Sequence, residues 1–416
     1  MSGIRRSELW ADMARLPWTL RFLLVTSFVM PLGSFMVLPF LAILLHDRLG
    51  MAMGPVGLLL GVTSFLQFAG ALGGGLVAER VGYKRSMVTG LAVRTAGFTL
   101  FAVGLDSPAL AVTAVLVTAL GDTLYSPANK AYLVSEVPEE HRPVLLSVNN
   151  SALSSGMALG TLVSGLLISR MPLLVFSVVA VMFATMTLAH LVLLPAPHGT
   201  TASVRVRAGR GDWARAFLTA PALVALATAY VYWYFQNYLG VFVTATHSTV
   251  LYSTALVLNC VLVVIGQPPA ARLIGRLGYS RAVLVAFPAL ALGFLALARP
   301  GVAFVLLGTV AISVGEGVLF LKNDLEALKT VPDRPALAIG SQRLALGGGS
   351  LLSGIVGGQL YAVGQSAGSP AQFWLYAAGQ AVVVGVLVVA VTRRRPAGQP
   401  PHLPEPALPT PSRSPS

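Results

Sequence analysis

Twelve apolar runs, each of roughly 20 residues or more and parted by short breaks that gather most of the charge, dominate this chain of 416 residues. They lie at about 19–45, 54–78, 86–105, 108–132, 144–168, 171–194, 218–246, 250–274, 281–299, 302–327, 337–361 and 370–391. A helix needs roughly 20 apolar residues to cross the hydrocarbon core of a bilayer. A soluble chain of this length would fold as two or three domains with polar surfaces. Only 10% of these residues are charged, against roughly a quarter in soluble proteins, so that surface is missing. The expected fold class is therefore an all-α membrane protein of twelve spans. The opening "MSGIRRSELWADMARLPW" does not read as a cleaved signal peptide, because the apolar run after it is too long and lacks a small-residue cleavage pattern.

The net charge of +13 raises the question of nucleic acid, and its distribution answers it. With the N-terminus on the cytoplasmic side, 24 of the 28 Lys and Arg fall on or near the inside, all but Arg48, Arg94, Arg170 and Arg299. The basic residues thus encode topology, and no nucleic-acid partner is expected. This predicts a cytoplasmic N-terminus (1–18), six spans (19–194), a cytoplasmic central loop (195–217), six more spans (218–391) and a Pro-rich tail (392–416). The tail holds three arginines at 393–395 and then eight prolines in its last 21 residues, a composition that cannot bury enough apolar surface to fold. The expected neighbours of those arginines are lipid headgroups.

The two sets of six repeat one another. Arg80, Gly82, Tyr83 and Arg85 of "GLVAERVGYKRS" recur as Arg276, Gly278, Tyr279 and Arg281, 196 residues later. Gly121, Asp122, Val137 and Pro138 recur as Gly315, Glu316, Val331 and Pro332, and Gly160 as Gly354, at an offset of 194. Two landmarks in the same order, separated by a two-residue deletion, mark a duplicated six-helix unit. Parallel repeats with a site near the membrane midplane are the architecture of a rocking transporter.

The stretch Gly75-x-x-x-Glu79-Arg80-x-Gly82-Tyr83-Lys84-Arg85 resembles the signature loop of the major facilitator superfamily, usually written G-x-L-A-D-R-x-G-R-K. "YSPANKAYLVSEVPEEHR" (Tyr125 to Arg142) resembles the end of span 4 in the bacterial drug/proton antiporters of that superfamily. "GMALGTLVSG" (Gly156 to Gly165) is similar to their span-5 signature, with Thr161 in place of Pro and Ser164 in place of Gly. The resemblance covers about 19–391. It implies two pseudo-symmetric six-helix bundles in a bacterial inner or plasma membrane, both termini cytoplasmic. It further implies a monomer that exports a small hydrophobic or cationic organic compound by proton antiport. Uptake or export of a sugar or amino acid, or uniport, is the alternative within the fold; a non-transporting receptor is a remote one. The expected partners are the small-molecule substrate, protons and membrane lipids. The absence of a Walker loop, of a His cluster with metal-ligand spacing and of a nucleophile–base pair argues against an ATP-driven pump, a metal site and an enzyme, and no cofactor is expected. The single Cys260 excludes a disulfide within the chain.

Within this frame each polar residue has a competing structural explanation. Any inner loop collects basic residues, but not Glu79 or the glycines. Gly75 lies one turn before Glu79 on the same face, where a missing side chain lets another helix approach. In the family the acid is taken to meet the N-terminus of span 11, near 337, a favourable site for a carboxylate. Gly75, Glu79, Arg80, Gly82, Lys84 and Arg85 are therefore read as a gating loop. Asp122 and Glu316 lie mid-span, where charge costs at least about 2.5–3.5 kcal/mol. A desolvated carboxyl there can carry a proton in exchange for substrate. Asp122 is read either so or as a structural partner of Arg94 in span 3; Glu316 has no basic residue at its depth in the spans nearby in sequence. In the family, spans 1, 4, 7 and 10 line the cavity, which would set the two acids on opposite walls. Arg94 and Arg343 can each balance an acid or reach the inner headgroups; Lys130 and Lys322, near inner ends, are read as reaching the headgroups. In "YVYWYFQNYLGVF" of span 7, Trp233, Tyr234, Gln236 and Asn237 are read as cavity lining, with the inward face left open. Gln67, Asn149 and Asn150 are further polar candidates, with hydrogen bonds between helices as their alternative. Gly156, Gly160 and Ser164, like Ser350, Gly354 and Gly358, recur every fourth residue and predict close helix packing; Pro31 and Pro39 predict a loosened span 1.

Overall fold

The computed structural model describes residues 17–137, 142–168, 170–195, 217–330 and 335–394. The expected cytoplasmic N-terminus, nearly all of the central loop, the Pro-rich tail and the Val331–Pro332 landmark lie outside the described residues. Twelve long helices account for most of what is described: α1 (Trp18–Arg48), α2 (Met53–Val81), α3 (Tyr83–Val103), α4 (Pro108–Ser135), α5 (Arg142–Leu167), α6 (Pro172–Leu193), α7 (Ala220–Thr246), α8 (Thr249–Val261, continued through a π turn, Leu262–Gly266, into Gln267–Arg276), α9 (Tyr279–Leu297), α10 (Val302–Thr330), α11 (Pro335–Ser366) and α12 (Gln372–Arg394). Among the described residues, all of these except α5, α7 and α11 are long and apolar enough to cross a membrane by composition alone. Those three carry the glycines, tyrosines and amides that pack helix against helix, so they read as less oily.

Span 1 is loosened where its prolines predict it. The α-helix runs through Pro31 to Phe35, then narrows to a 3-10 turn at Leu38–Phe40 around Pro39, which has no N–H for the ladder. It widens to a π turn at Leu44–Arg48 before ending.

The duplication is visible in side-chain detail. Gly121 of α4 sits against the Gly90 carbonyl and Arg94 of α3; Gly315 of α10 sits against the Ala286 carbonyl and Leu290 of α9. The helix pairs cross at equivalent points, and the acid follows the glycine in each. A further correspondence appears two residues beyond Pro127. Asn129 Nδ2 donates to Ser27 Oγ on α1 at 3.2 Å, and Asn323 Nδ2 donates to Thr228 Oγ1 on α7 at 3.4 Å.

The halves meet chiefly along α2 and α11. Gly57 and Gly61 face Gly354 and Gly358, so the backbones touch: a Cβ on Gly61 would lie 2.9 Å from the Leu351 carbonyl oxygen. Tyr238 donates to the Gly354 carbonyl at 2.9 Å and braces this seam from α7. Tyr252 of α8 reaches across to donate to the Pro39 carbonyl at 2.7 Å, with its ring edge-on to Phe40. Gln365 Nε2 donates to His46 Nε2 at 2.9 Å. All these contacts gather at the end away from the two basic phrases. At the basic end Glu79, Arg80 and Arg85 are exposed, and α4 does not run against α10. One end of the bundle is closed and the basic end stands apart.

The two copies of the basic phrase turn differently. Gly82 joins α2 to α3 as a single linking residue at φ 99°, a conformation that favours glycine. Gly278 has φ −62° and follows Leu277 in a two-residue link.

Replacing Gly354 by Leu must push α2 and α11 apart, because its Cβ would strike the Gly61 backbone at 2.7 Å. In a Cys260→Ser background with spin labels at positions 52 and 366, pulsed EPR should report a longer distance in the Gly354→Leu protein. An unchanged distance in a folded variant contradicts this packing.

Candidate functional site

Between the halves lies a cavity of about 420 Å³, walled by α1, α2, α5, α7, α8 and α10. The helical period sorts the aromatic run of α7 into two faces. Tyr230, Tyr234 and Tyr238 turn into the second bundle: the hydroxyls of Tyr230 and Tyr234 both donate to Gln380 Oε1 on α12, the latter at 2.6 Å, and Tyr238 stacks on Tyr361. Tyr232, Trp233, Gln236 and Asn237 face the cavity. Tyr234 is thus fully buried and does not line the cavity, contrary to the sequence expectation, because it shares the face whose hydroxyls Gln380 satisfies.

Trp233 is the aromatic centre of the site. Its Nε1 donates to Ser64 Oγ on α2 at 3.2 Å, so it ties the halves together at the cavity wall. Phe68 meets its ring edge-on at 5.2 Å, and Phe320 lies tilted at 6.4 Å. Gln236 donates to the Tyr232 hydroxyl, while Asn237 Nδ2 is buried in the wall with no partner among the described residues.

Glu316 projects from α10 into this cavity. Its Oε2 accepts from Asn259 Nδ2 of α8 at 2.6 Å, and Asn259 also donates to Ser313 Oγ at 2.9 Å. The Tyr232 hydroxyl is a further hydrogen-bond neighbour of the carboxyl. Among the described residues Glu316 has no ion pair. The repeat explains this: the position that holds Arg94 beside Asp122 holds Leu290 beside Glu316.

Asp122 has the opposite surroundings. Arg94 Nη1 donates to its Oδ1 at 2.6 Å, Arg94 Nη2 donates to Ser34 Oγ, and the guanidinium lies over the Phe183 ring at 4.7 Å. Of the two readings open for Asp122, the structure shows the ion pair. Asp122 is also not among the residues that line the cavity, so the two acids do not face one another across it.

The other candidates divide in the same way. Gln67 lines the cavity. Asn149 does not: it is wholly buried on α5, which corrects its assignment to the wall. Lys322 does not reach for headgroups; it is buried and bonds to Glu326 at 3.0 Å and to the Gly275 carbonyl at 3.2 Å. In the loop, the close approach expected at Gly75 belongs to Gly74, whose Cβ would collide with the Thr123 carbonyl, while Gly75 has only an ordinary contact with Pro127. Glu79 is exposed, with Arg80 and Arg85, and among the described residues it shows no contact with the start of α11; Lys84 is partly covered.

The sequence reading missed Tyr232, Asn259, Phe320 and Cys260 as wall residues. A signal existed for two of them. Asn259 is a lone amide in an oily run, a costly choice without a partner. Phe320 lies one turn from Glu316 and so shares its face.

Residues 23–323 match the Major Facilitator Superfamily. An uncharacterized MFS-type transporter of Mycobacterium tuberculosis is 28% identical over 396 residues, which cover 90% of this chain and 92% of that protein. Multidrug resistance protein MdtH of Salmonella typhi is 33% identical over 188 residues, 45% of this chain and 46% of its own length. Among solved structures, nucleoside transporter NupG superposes with a TM-score of 0.75 at 15% identity, covering 91% of this chain and 100% of that one. A bacterial homologue of the human lysosomal transporter Spinster, inward-facing and unoccupied, gives 0.72 at 13% identity, covering 90% and 96%. At such identities the structural likeness speaks for the fold.

The Arg94–Asp122 pair predicts an asymmetric cost. Asp122→Leu strands a guanidinium that is 6% exposed, a loss of about 3–5 kcal/mol for a pair broken from one side. Arg94→Leu leaves a carboxylate that is less deeply buried, at 28% exposed, so it costs less. The double change, which copies Leu290 and removes the acid, should recover much of the loss. Thermal unfolding in detergent measures all three, and equal losses in the two single variants would contradict the pairing described.

Proposed function

The chain belongs to the Major Facilitator Superfamily and is a multi-pass membrane transporter, and on that premise we propose that it exports a small hydrophobic or cationic organic compound in exchange for protons. The observation that carries this reading is Glu316: a carboxylate without a cation partner among the described residues, facing an aromatic cavity between the two halves. Such a group can hold a proton or a basic ligand, and the two compete for it. Competition for one site is what converts proton entry into cargo release. Aromatic faces on Trp233, Phe68 and Phe320 favour flat apolar and cationic bodies, and Gln67, Gln236 and Asn237 offer orientation. The partial match to a multidrug resistance protein supports a drug-like or secondary-metabolite cargo.

Alternating access fits the two ends. The Lys and Arg bias reads the basic end as cytoplasmic, with both termini on that side of a bacterial inner membrane. The structure then corresponds to the state open to the cytoplasm. Closing that end would bring Glu79 to the N-terminus of α11, where the helix dipole favours a carboxylate, while opening the glycine seam at the other. A complete pathway within twelve helices of one chain supports a monomer.

Two outcomes follow. In proteoliposomes with an imposed pH gradient, Glu316→Gln should abolish proton-driven exchange while substrate binding persists, and Asp122→Asn should keep most of the coupling. Full coupling in Glu316→Gln sinks the antiport reading. Glu79→Gln should slow transport severalfold and leave the binding constant unchanged; wild-type rates would remove Glu79 from the gate.

A further inference from the structure

A second cavity, of about 300 Å³, lies at the closed end of the bundle, away from the basic phrases, and shares no described wall residue with the first. Its apolar walls are Phe40, Ile43 and Leu44 of α1, with Ile168 and Pro172 at the turn from α5 to α6. Thr249, the first residue of α8, closes it from the other half, so the cavity bridges the halves. Asp47 and Arg48 complete it, on the π turn that ends α1. Positions 40, 43, 44, 47 and 48 recur at spacings of three and four, so they share one face. Such widened turns are frequent at functional sites.

The charges at this cavity do not cancel. Arg48 donates to Asp106 at 3.1 Å, and Asp106 is not on the wall. Asp47 is exposed and has no ion pair among the described residues. Asp47, Arg48 and Asp106 together leave one negative charge, at the rim of an otherwise apolar pocket. His46 beside it is taken up by the Met51 carbonyl, at 2.8 Å, and by Gln365. Arg170, on the turn from α5 to α6, is exposed and not on the wall.

We infer that this cavity is a second ligand site, for a small hydrophobic monocation such as an aromatic amine or a quaternary ammonium, and that filling it holds the closed end shut. Apolar walls take the body of such a ligand, Phe40 adds an aromatic surface and Asp47 receives the charge. The effect on closure follows from what the walls are tied to. The Phe40 ring lies 5.3 Å from that of Tyr252, nearly at right angles, and the Tyr252 hydroxyl holds the Pro39 carbonyl across the halves. One turn beyond Thr249, Ser253 packs so closely on Gly165 of α5 that a Cβ on the glycine would strike its Oγ. The pocket is whole while α8 lies against α1 and α5. Parting the halves here takes Thr249 from the wall and Tyr252 from Phe40. A ligand that fits the closed form and loses a wall in the open one shifts the population toward the closed form. A compound on that side of the membrane can therefore stop the carrier without entering its path, whatever the central cavity carries.

The test uses the purified full-length protein in neutral detergent, as Cys260→Ser with bimane attached through Val250→Cys, an exposed neighbour of Thr249. A nitroxide bearing a trimethylammonium group and its neutral methoxy analogue are the matched quenchers. The cation should quench saturably and bind about fivefold more tightly than the neutral probe, the upper end for an ion pair that stays partly in water. Asp47→Asn should remove that preference, and Arg48→Gln, which also frees Asp106, should keep it. Ile43→Trp, which fills the pocket, should remove saturable quenching by both probes. Thermal unfolding close to that of the parent shows that each variant is folded. Equal affinity of the two probes, a preference that survives Asp47→Asn, or equal quenching of bimane attached through Val192→Cys, at the far end of α6, overturns the site. Closure is read separately, from the rate at which a sulfonate-bearing thiol reagent modifies Ser253→Cys, which is buried where α8 meets α5. Benzyltrimethylammonium should slow that reaction severalfold, and should not do so when Asp47→Asn is added. An unchanged rate overturns the link to closure. Both measurements are made without a gradient or flux, so a failure of antiport leaves them standing.

Discussion

Backbone contact between α2 and α11 sets the shape of everything between the halves. Four glycines let the two helices meet without side chains, and this can happen at only one end of helices that diverge. The closed end fixes Tyr252 and His46 in their cross-half bonds, with Tyr238 bracing the seam from α7. The open end leaves the basic loops apart. The cavity is the wedge that results, and Trp233 sits on its wall with its indole bonded across to Ser64. The π turn in α8 borders the same wedge, with Val263 and Val264 on its wall.

The two halves meet the bilayer's intolerance of lone charge in two ways. The first half pairs its acid with an arginine that also donates to a serine and lies over an aromatic face. The second half keeps the acid and loses the arginine, so Glu316 relies on an amide and a phenol. Neutral donors orient a carboxylate without cancelling its charge. Among the described residues the duplicated fold thus carries one ion-paired acid and one acid without an ion pair at matched positions, with Arg94 in one half against Leu290 in the other.

Much of this was legible in the chain. Helix count, order and the six-plus-six repeat followed from apolar run length and from two landmarks at nearly constant offset, because bilayer thickness permits few alternatives. Glu316 stood out for the same reason that it matters, a charge with no partner in sequence. What escaped depended on rotation about a helix axis. The run from Tyr230 to Phe242 is aromatic on more than one face, so hydropathy could not say that Tyr234 turns to Gln380 while Tyr232 turns to the cavity. Asn149 failed likewise, as an amide on the buried side of its helix. Gly74 and Gly75 are neighbours in a run of three, and only the packing against Thr123 separates them.

The single residue at Gly82 makes α2 and α3 mechanically unlike their counterparts. With one linking residue held at φ 99°, the joint has almost no slack, and a tilt of α2 is delivered to α3 as to the second arm of a rigid lever. The joint between α8 and α9 has two residues in ordinary backbone conformations and can absorb part of the same motion. The α2 arm is also the one that carries the glycine seam. Displacement at the seam is therefore geared directly to the Arg94 cluster on α3, whereas the second half has a looser transmission between α8, which holds Asn259, and α9.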